Sequence, residues 1–298
     1  MLRPKEPDEP KIYLLPNLMT TGNLVCGFVA VLSIFRGILE ATSKDGGYDF
    51  SLAQPYYERA ILLIFASCIF DLLDGRLARL GGKDSPFGRE YDSLADVISF
   101  GMAPSLLMAK AVLFPLDEGL EGLGIKGLGW YLACVYVVCG AIRLARFNCI
   151  AAAPKREGAV KDSDFRGIPI PMAAGFISSL TFLVIYFNEN DRDLGIWKYV
   201  LAAAMLALSI LMISDVRYPS FKNVGWKTRG TPLIMIVAAL ILVLTFQYIY
   251  VVPVVLFSAY VLYGLLVRPF LSKKLVSGIE DPDLIGEEDD SLPDSPEK

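Results

Sequence analysis

The sequence predicts an all-α integral membrane protein, a polytopic bundle of about eight transmembrane helices, and two observations carry that prediction. Hydrophobic residues make up 54% of the 298 residues, above the roughly 45–50% that is usual for soluble domains. They are gathered into runs of about 20 residues, the length that crosses about 30 Å of hydrocarbon. A soluble globular protein is therefore not expected.

The predicted spans follow these apolar runs in order along the chain. They lie at about 17–36, 57–79, 90–114, 128–149, 168–187, 196–214, 231–249 and 251–268. Almost no chain separates the last two, so a tight turn is required near Val251 to Pro253. Ahead of the first span, Lys11 to Leu18 is either a short interfacial segment with its apolar side chains in lipid or an ordinary linker.

The chain divides into three regions of different composition. We expect an N-terminal cytoplasmic or interfacial segment at 1–16, a membrane domain at 17–270 and an acidic tail at 271–298. Residues 280–298 hold nine acidic residues and one lysine, together with Pro and Ser. This composition is typical of disordered chain, so the tail is expected to be solvated, and nothing in it indicates a nucleic-acid partner.

Basic residues predict the orientation in the bilayer. Most Lys and Arg residues fall on one side if that side holds both termini and the loops after spans two, four and six. Loops rich in Lys and Arg stay in the cytoplasm. The sequence therefore predicts a multi-pass protein of the cytoplasmic (inner) membrane with both termini in the cytoplasm.

The chain contains no histidine and five cysteines without a CxxC pair. The absence of histidine excludes histidine acid–base chemistry, phosphohistidine intermediates and histidine metal ligands. The cysteines lie in or beside apolar runs, where structural thiols are more common than disulfides or metal sites. Any catalysis must therefore use carboxylates, basic side chains or hydroxyls.

Span two carries ionisable residues, which are costly inside a membrane and usually face a polar cavity or another helix. At about 100° per residue, five residues share one helical face roughly 140° wide. They are Asp71, Asp74, Gly75, Ala78 and Arg79. This face is the first half of a candidate polar site.

Span three supplies the second half of that site. Gly88, Asp92 and Asp96 follow one another at intervals of four, so they also share a helical face. The connection Leu80 to Phe87 contains a Gly pair and Ser-Pro, which are typical of a helix-breaking turn. Spans two and three are therefore expected to be antiparallel neighbours whose four aspartates converge at the cytoplasmic end.

Four clustered carboxylates require cations in order to stay ionised together. Mg²⁺ and Mn²⁺ prefer oxygen ligands, and a pair of such ions suits phosphoryl transfer because it neutralises phosphate oxygens and the leaving group. Residues with almost no side chain beside the aspartates would admit a nucleotide, and Arg79 could bind its pyrophosphate. The alternative is a set of buried structural ion pairs, but few bases lie near these acids.

The segment DLLDGRLARLGGKDSPFGREYDSLAD, from Asp71 to Asp96, resembles the CDP-alcohol phosphotransferase signature at every fixed position. The resemblance implies that Asp71, Asp74 and Asp92 bind a centre of two Mg²⁺ or Mn²⁺ ions. It implies that Asp96 completes this metal site and acts as the catalytic general base. The CDP pocket would be lined by Asp71, Gly75, Ala78, Arg79 and Gly88.

Four further segments resemble the phosphatidylserine synthase branch of that family. They are PNLMTTGNLVCGF (16–28), GAIRLARFN (140–148), FRGIPIPMAAG (165–175) and RYPSFK (217–222). The resemblance implies a serine pocket formed by Arg143, Arg146, Phe147 and Asn148. A guanidinium can grip the carboxylate of an amino acid in two places, although both arginines could instead be anchors that reach lipid headgroups.

The resemblance implies transfer of the phosphatidyl group of CDP-diacylglycerol to L-serine, giving phosphatidylserine and CMP. It also implies a homodimer in the lipid bilayer. A sibling enzyme that uses glycerol 3-phosphate, inositol phosphate or choline stays open, as does an ether-lipid donor. The alternative from another class is a cation-coupled transporter that uses the aspartates as its ion site.

Overall fold

The computed structural model describes residues 14–42, 48–81, 85–113, 127–152, 165–189, 197–218 and 231–267. These residues form a helical membrane protein. The helices are α1 (Leu14–Ala41), α2 (Phe50–Gly81), α3 (Pro86–Asp96), α4 (Ala103–Ala111), α5 (Leu128–Ala152), α6 (Ile170–Glu189), α7 (Trp197–Ile213), α8 (Thr231–Gln247) and α9 (Val252–Leu262). Two π-helical turns, Val97–Met102 and Tyr263–Val267, extend α3 into α4 and α9 at its end.

Every predicted span coincides with a helical segment of the described chain. Four of these segments are both long and apolar enough to cross a membrane: Leu15–Ala41, Pro86–Ala111, Leu128–Ala152 and Ile170–Phe187. Helix α2 is longer still, but it carries charged residues near both ends, and α7 to α9 are shorter. The helical membrane fold is thus confirmed, whereas the number of eight crossings stays a prediction.

The rod from α3 to α4 contains a π-helical turn, and Pro104 accounts for it. Proline has no N–H for the carbonyl four residues earlier, and its ring clashes with that carbonyl. The chain widens locally, so that the N–H of Ala103 bonds to the carbonyl of Ile98, five residues back. This turn starts directly after Asp96, the last residue of α3.

Helix α1 packs along α2 and also against α3 and the π turn that follows it. The contact is close at Gly27, where a Cβ atom would overlap Ser99 of the π turn. The buried core continues through α4, α5, α6 and α7, where Leu107, Tyr136 and Ile177 are fully enclosed. Helix α1 thus joins the two helices that carry the aspartates.

Two short strands clamp the ends of α6 and α7 together. Strand β1 (Phe165–Arg166) pairs antiparallel with β2 (Arg217–Tyr218). Gly167 follows with φ +77°, and a Cβ atom there would overlap the carbonyl oxygen of Met212. The FRGIPIP segment leads directly into a helix, because α6 begins at Ile170.

The tight turn expected between the last two helices is confirmed. The N–H groups of Val251 and Val252 both bond to the carbonyl of Tyr248, at 3.1 and 3.0 Å. The turn comes slightly earlier than predicted, because Pro253 lies in the first turn of α9, where a missing N–H leaves no intrahelical bond unmade.

Several predicted features lie outside the described residues. They are most of the N-terminal segment (1–13), the centre of the turn between α2 and α3 (82–84), Lys222 and the acidic tail. The division into three regions therefore stays a prediction.

Gly167→Ala should lower the free energy of unfolding by at least about 2 kcal/mol, because alanine is strained at positive φ and its Cβ would meet a backbone oxygen. Thermal unfolding in detergent, followed by size-exclusion chromatography, measures the loss. Gly75→Ala is the matched control, because a Cβ there meets nothing within 4 Å. Equal stability of the two variants would contradict the close approach at Gly167.

Candidate active site

Three carboxylates from two helices meet in one place. Asp71 of α2 and Asp92 and Asp96 of α3 each offer an oxygen, and these oxygens lie within 4.8 Å of one another. Asp96 is buried, with 6% of its surface exposed, and the other two are partly buried. The structure thus brings together three of the four aspartates singled out in the sequence.

Asp74, the fourth aspartate, is engaged differently. Its carboxylate is buried and accepts a hydrogen bond from the hydroxyl of Thr20 on α1. It does not belong to the three-carboxylate group, although its charge acts on both Asp71 and Asp92. Asp74 therefore contributes negative charge beside the group and is oriented by the first helix.

Asn23 of α1 holds Asp96 in place. Its side-chain amide donates to Oδ1 of Asp96 at 3.0 Å, and both residues are buried. The backbone carbonyl of Asn23 accepts hydrogen bonds from the hydroxyls of Ser67 on α2 and Ser99 in the π turn, at 3.2 and 3.0 Å. Asn23 thus joins the three segments at the level of the carboxylates.

The donor set fits a hard divalent cation. All three ligand groups are carboxylates, which such ions prefer. Oδ1 of Asp92 is buried and has no hydrogen-bond partner among the described residues, and an unpaired buried oxygen is unfavourable. A cation bound between the carboxylates would pair with that oxygen, so this group could hold a metal ion.

Arg143 of α5 lies close enough to the group for its charge to act on Asp71 and Asp96. It is buried, with 7% of its surface exposed, and forms no hydrogen bond with a described residue; its Nε atom is one of the unpaired buried atoms. Its charge interacts with Asp71 and Asp96 and also with Tyr260 of α9. A buried guanidinium with unused donors is suited to an anionic ligand.

Arg146, one turn later, has its donors occupied. Nη1 bonds to the carbonyl of Ile213 at 2.8 Å, and Nη2 lies 3.3 and 3.4 Å from the carbonyls of Arg166 and Ser214. An ion pair with exposed Asp215 adds a contact of 3.7 Å. Arg146 therefore fastens α5 to β1 and to the chain between α7 and β2.

The remaining residues of the predicted acceptor pocket are placed as follows. Asn148 donates to the hydroxyl of Ser93 at 2.9 Å and to Glu90 at 3.3 Å, so it ties α5 to α3. The side chain of Phe147 is 42% exposed. Asn148 therefore contacts the helix that carries two of the aspartates.

The small residues of the predicted nucleotide pocket differ in the space around them. Gly75 is exposed and opens onto free space, whereas Gly88 faces Ser85 and Asn17. Ser85 caps α3 by accepting a hydrogen bond from the N–H of Gly88 at 3.0 Å. Ala78 and Arg79 belong to α2, but their side chains lie outside the described residues.

A model of the CDP-alcohol phosphatidyltransferase family matches residues 13–213, a range that ends with α7. It contains the aspartates and both arginines of this site. The chain belongs to this family. The resemblance seen in the sequence is thereby confirmed, and a transferase replaces the transporter alternative. The match ends before β2 and the last two helices, so Tyr260 lies outside the family-wide region.

Relatives from bacteria and archaea extend this similarity. A CDP-diacylglycerol–serine O-phosphatidyltransferase of Helicobacter pylori is 34% identical over 268 residues, covering 89% of this chain and 95% of the relative. An archaetidylserine synthase of Methanothermobacter thermautotrophicus is 31% identical, and the match covers 72% of this chain and 73% of the relative. The Bacillus subtilis serine phosphatidyltransferase is 29% identical, over 70% and 92%.

The family signature does not include the polar residues of α1 that contact the aspartates. Thr20 and Asn23 were not singled out in the sequence, although both lie in the PNLMTTGN segment that carries the subfamily resemblance. The signal was available, because Asn17, Thr20 and Asn23 recur every three residues in a helix that is mostly apolar. Polar groups at such spacing inside a membrane span usually face protein.

Arg146→Met should lower the free energy of unfolding by about 1–3 kcal/mol, because three backbone carbonyls lose a charged donor. Thermal unfolding in detergent without substrate measures the loss against the wild-type protein. Unchanged stability in Arg146→Met would contradict the role of Arg146 in fastening α5 to β1 and to the end of α7.

Proposed function

We propose that this chain transfers the phosphatidyl group of CDP-diacylglycerol to the hydroxyl of L-serine, giving phosphatidylserine and CMP. The observation that carries the proposal is a buried guanidinium, Arg143, whose charge interacts with two members of a group of three carboxylates that could hold a metal ion. The carboxylates suit a diphosphate donor with its cations, and the guanidinium suits the carboxylate of an amino acid. The names of the relatives agree with this pair of substrates.

The carboxylate group would hold the metal. Asp71, Asp92 and Asp96 are the proposed ligands, and Asp74 adds negative charge beside them. We expect two ions, Mg²⁺ or Mn²⁺, as the family resemblance implies. When bound, such ions neutralise phosphate oxygens and stabilise the departing phosphate.

Asp96 is the proposed general base. Its carboxylate would take the proton of the serine hydroxyl as the oxygen attacks the phosphorus linked to diacylglycerol. The new bond joins that oxygen to phosphorus, and the bond from this phosphorus to the bridging oxygen breaks, so CMP leaves with the electron pair. Asn23 would act as a positioning residue, because its amide fixes one oxygen of Asp96 at 3.0 Å.

The acceptor pocket is proposed to centre on Arg143, whose free donors would grip the serine carboxylate. Arg146 would position this pocket indirectly, by fastening α5 beside the strand clamp, because its donors are already engaged. Phe147 and Asn148 would border it on the side of α3, where Asn148 contacts Ser93.

The CDP moiety is proposed to lie against α2 beyond Asp71, where Gly75 opens onto free space. Ala78, Arg79 and Gly88 would line the same pocket, as the signature implies. The diacylglycerol chains would then enter sideways from the lipid. This arrangement holds the donor phosphate next to the carboxylates and next to the acceptor, so orientation contributes to catalysis.

The membrane arrangement is part of the proposal. We propose eight crossings, with both termini and the active site on the cytoplasmic side of the inner membrane, because the basic residues cluster in the loops on that side. A homodimer is expected from the family resemblance alone.

CMP release by the purified protein tests the proposed function. The protein in detergent receives CDP-diacylglycerol and Mn²⁺ with serine, glycerol 3-phosphate, inositol, inositol phosphate or choline, each with and without EDTA. We expect release with serine that EDTA abolishes. Release with a different acceptor would reject the serine assignment, and no release with any acceptor from folded protein would reject the transferase assignment.

The name of the archaeal relative points to a second donor lipid that should be tested. It is named an archaetidylserine synthase, so an ether-linked CDP-archaeol should be tested beside CDP-diacylglycerol. The proposed contacts are to the nucleotide and the phosphates, which the two donors share. Faster turnover of the ether donor would identify it as the substrate without changing the site.

Asp92→Asn should lower kcat at least about 10²–10³-fold, because the amide keeps the shape of the side chain but removes a charged ligand. It should also weaken Mn²⁺ binding, measured by titration of the protein without substrate. Asp49→Asn, at an exposed aspartate away from the site, is the control and should stay within about twofold. Unchanged activity and Mn²⁺ affinity in Asp92→Asn would contradict the metal assignment.

Arg143→Met should raise the KM for serine about tenfold or more while the KM for CDP-diacylglycerol changes little, because a charge-assisted bond to the acceptor is lost. Steady-state kinetics with each substrate varied in turn measures both constants. An unchanged KM for serine would assign Arg143 to an anchoring role instead.

A further inference from the structure

Tyr218 of β2 is a fully buried residue whose hydroxyl has no hydrogen-bond partner among the described residues. Its ring is held from two sides. It stacks on Tyr260 of α9, with ring centroids 5.6 Å apart and planes 28° apart, and it lies against Gly264, where a Cβ atom would overlap the ring. The position of this hydroxyl is therefore fixed before any ligand arrives.

The hydroxyl of Tyr218 is a neutral hydrogen-bond donor at physiological pH. Burial raises the pKa of Tyr218 to about 12, so the phenol keeps its proton. Buried hydroxyls usually have a partner, because leaving one unpaired is unfavourable. A rigidly held, unpaired hydroxyl beside a substrate site is consistent with a partner that arrives with the substrate.

The two tyrosines lie in the same part of the fold as Arg143. The charge of Arg143 interacts with Tyr260 as well as with Asp71 and Asp96, and Tyr260 stacks on Tyr218. The chain that leads into Tyr218 is fastened one helical turn from Arg143, because Arg146 bonds to the carbonyls of Ile213 and Ser214. Tyr260 is thus a neighbour that Arg143 and Tyr218 share.

We propose that Tyr218 is a specificity-determining residue of the acceptor pocket, where its hydroxyl donates a hydrogen bond to the carboxylate of the amino-acid acceptor that Arg143 binds. The inference rests on the proposed function, because it assumes an acceptor that carries a carboxylate. A carboxylate has enough acceptor sites for a guanidinium and a phenol together.

The location of Tyr218 in the chain agrees with a role in choosing the acceptor. The family match ends at residue 213, whereas the match to the Helicobacter pylori relative covers 89% of this chain and so includes both tyrosine positions. The aspartates of the site lie inside the region that the family model matches. Tyr218 and Tyr260, which we place at the acceptor pocket, lie outside that region.

Tyr218→Phe tests the proposal, because phenylalanine keeps the stacked ring and removes only the hydroxyl. We expect the KM for serine to rise about tenfold or more, while kcat and the KM for CDP-diacylglycerol stay within about twofold. Tyr57→Phe is the matched control. Tyr57 is equally buried, but its hydroxyl bonds to that of Tyr48 at 2.5 Å, away from the site, and its serine KM should be unchanged.

A second measurement identifies the group that Tyr218 contacts. Serinamide keeps the hydroxyl and the amine of serine but lacks the carboxylate, so the preference for serine over serinamide should fall about tenfold in Tyr218→Phe. An unchanged serine KM, an unchanged preference, or a parallel loss in kcat and in CDP-diacylglycerol KM would overturn the proposal. An inactive wild-type protein would instead reject the proposed function on which it rests.

Discussion

The mutual repulsion of three carboxylates is the constraint on which the rest of the structure depends. Oxygens of Asp71, Asp92 and Asp96 lie within 4.8 Å of one another, and two unit charges at that distance repel by about 3 kcal/mol at an effective dielectric constant of about 20. Asn23 donates one hydrogen bond and Arg143 supplies one positive charge nearby. These two groups are too few for three charges, and a cation bound between the carboxylates would balance the remainder.

The first helix keeps these charges together, although it carries none of them. Asn23 bonds to Asp96 through its side chain and to Ser67 and Ser99 through its carbonyl, and Thr20 bonds to Asp74. Helix α1 can approach closely because Gly27 has no side chain against the π turn. The aspartate side chains are therefore positioned by α1 as much as by the helices that carry them.

The sequence predicted the helices and three members of the carboxylate group because both follow from local periodicity. Apolar runs of about 20 residues define spans, and intervals of three and four residues place aspartates on one face. The contacts of Thr20 and Asn23 could not be derived in this way, because they depend on how α1 crosses two other helices. The number of crossings and the role of each site residue stay predictions.

The two arginines of α5 also show that local periodicity does not predict contacts between helices. In the sequence, Arg143 and Arg146 are equivalent, one helical turn apart, and both suit an acceptor carboxylate. The structure separates them, because Arg146 bonds to three carbonyls in β1 and at the end of α7, whereas Arg143 is buried and its charge interacts with Asp71 and Asp96. The clamp depends on pairing between β1 and β2, about 50 residues apart, and Gly167 permits it through a close approach that no local pattern predicts.

Anomalous X-ray diffraction at the manganese edge, from crystals of the protein grown with Mn²⁺ and CDP-diacylglycerol, tests the central claim most directly. The account predicts an anomalous peak bordered by the carboxylates of Asp71, Asp92 and Asp96, at roughly 2.1 Å from their oxygens. Manganese bound at a different place, with these three carboxylates free of metal and the nucleotide in position, would contradict it.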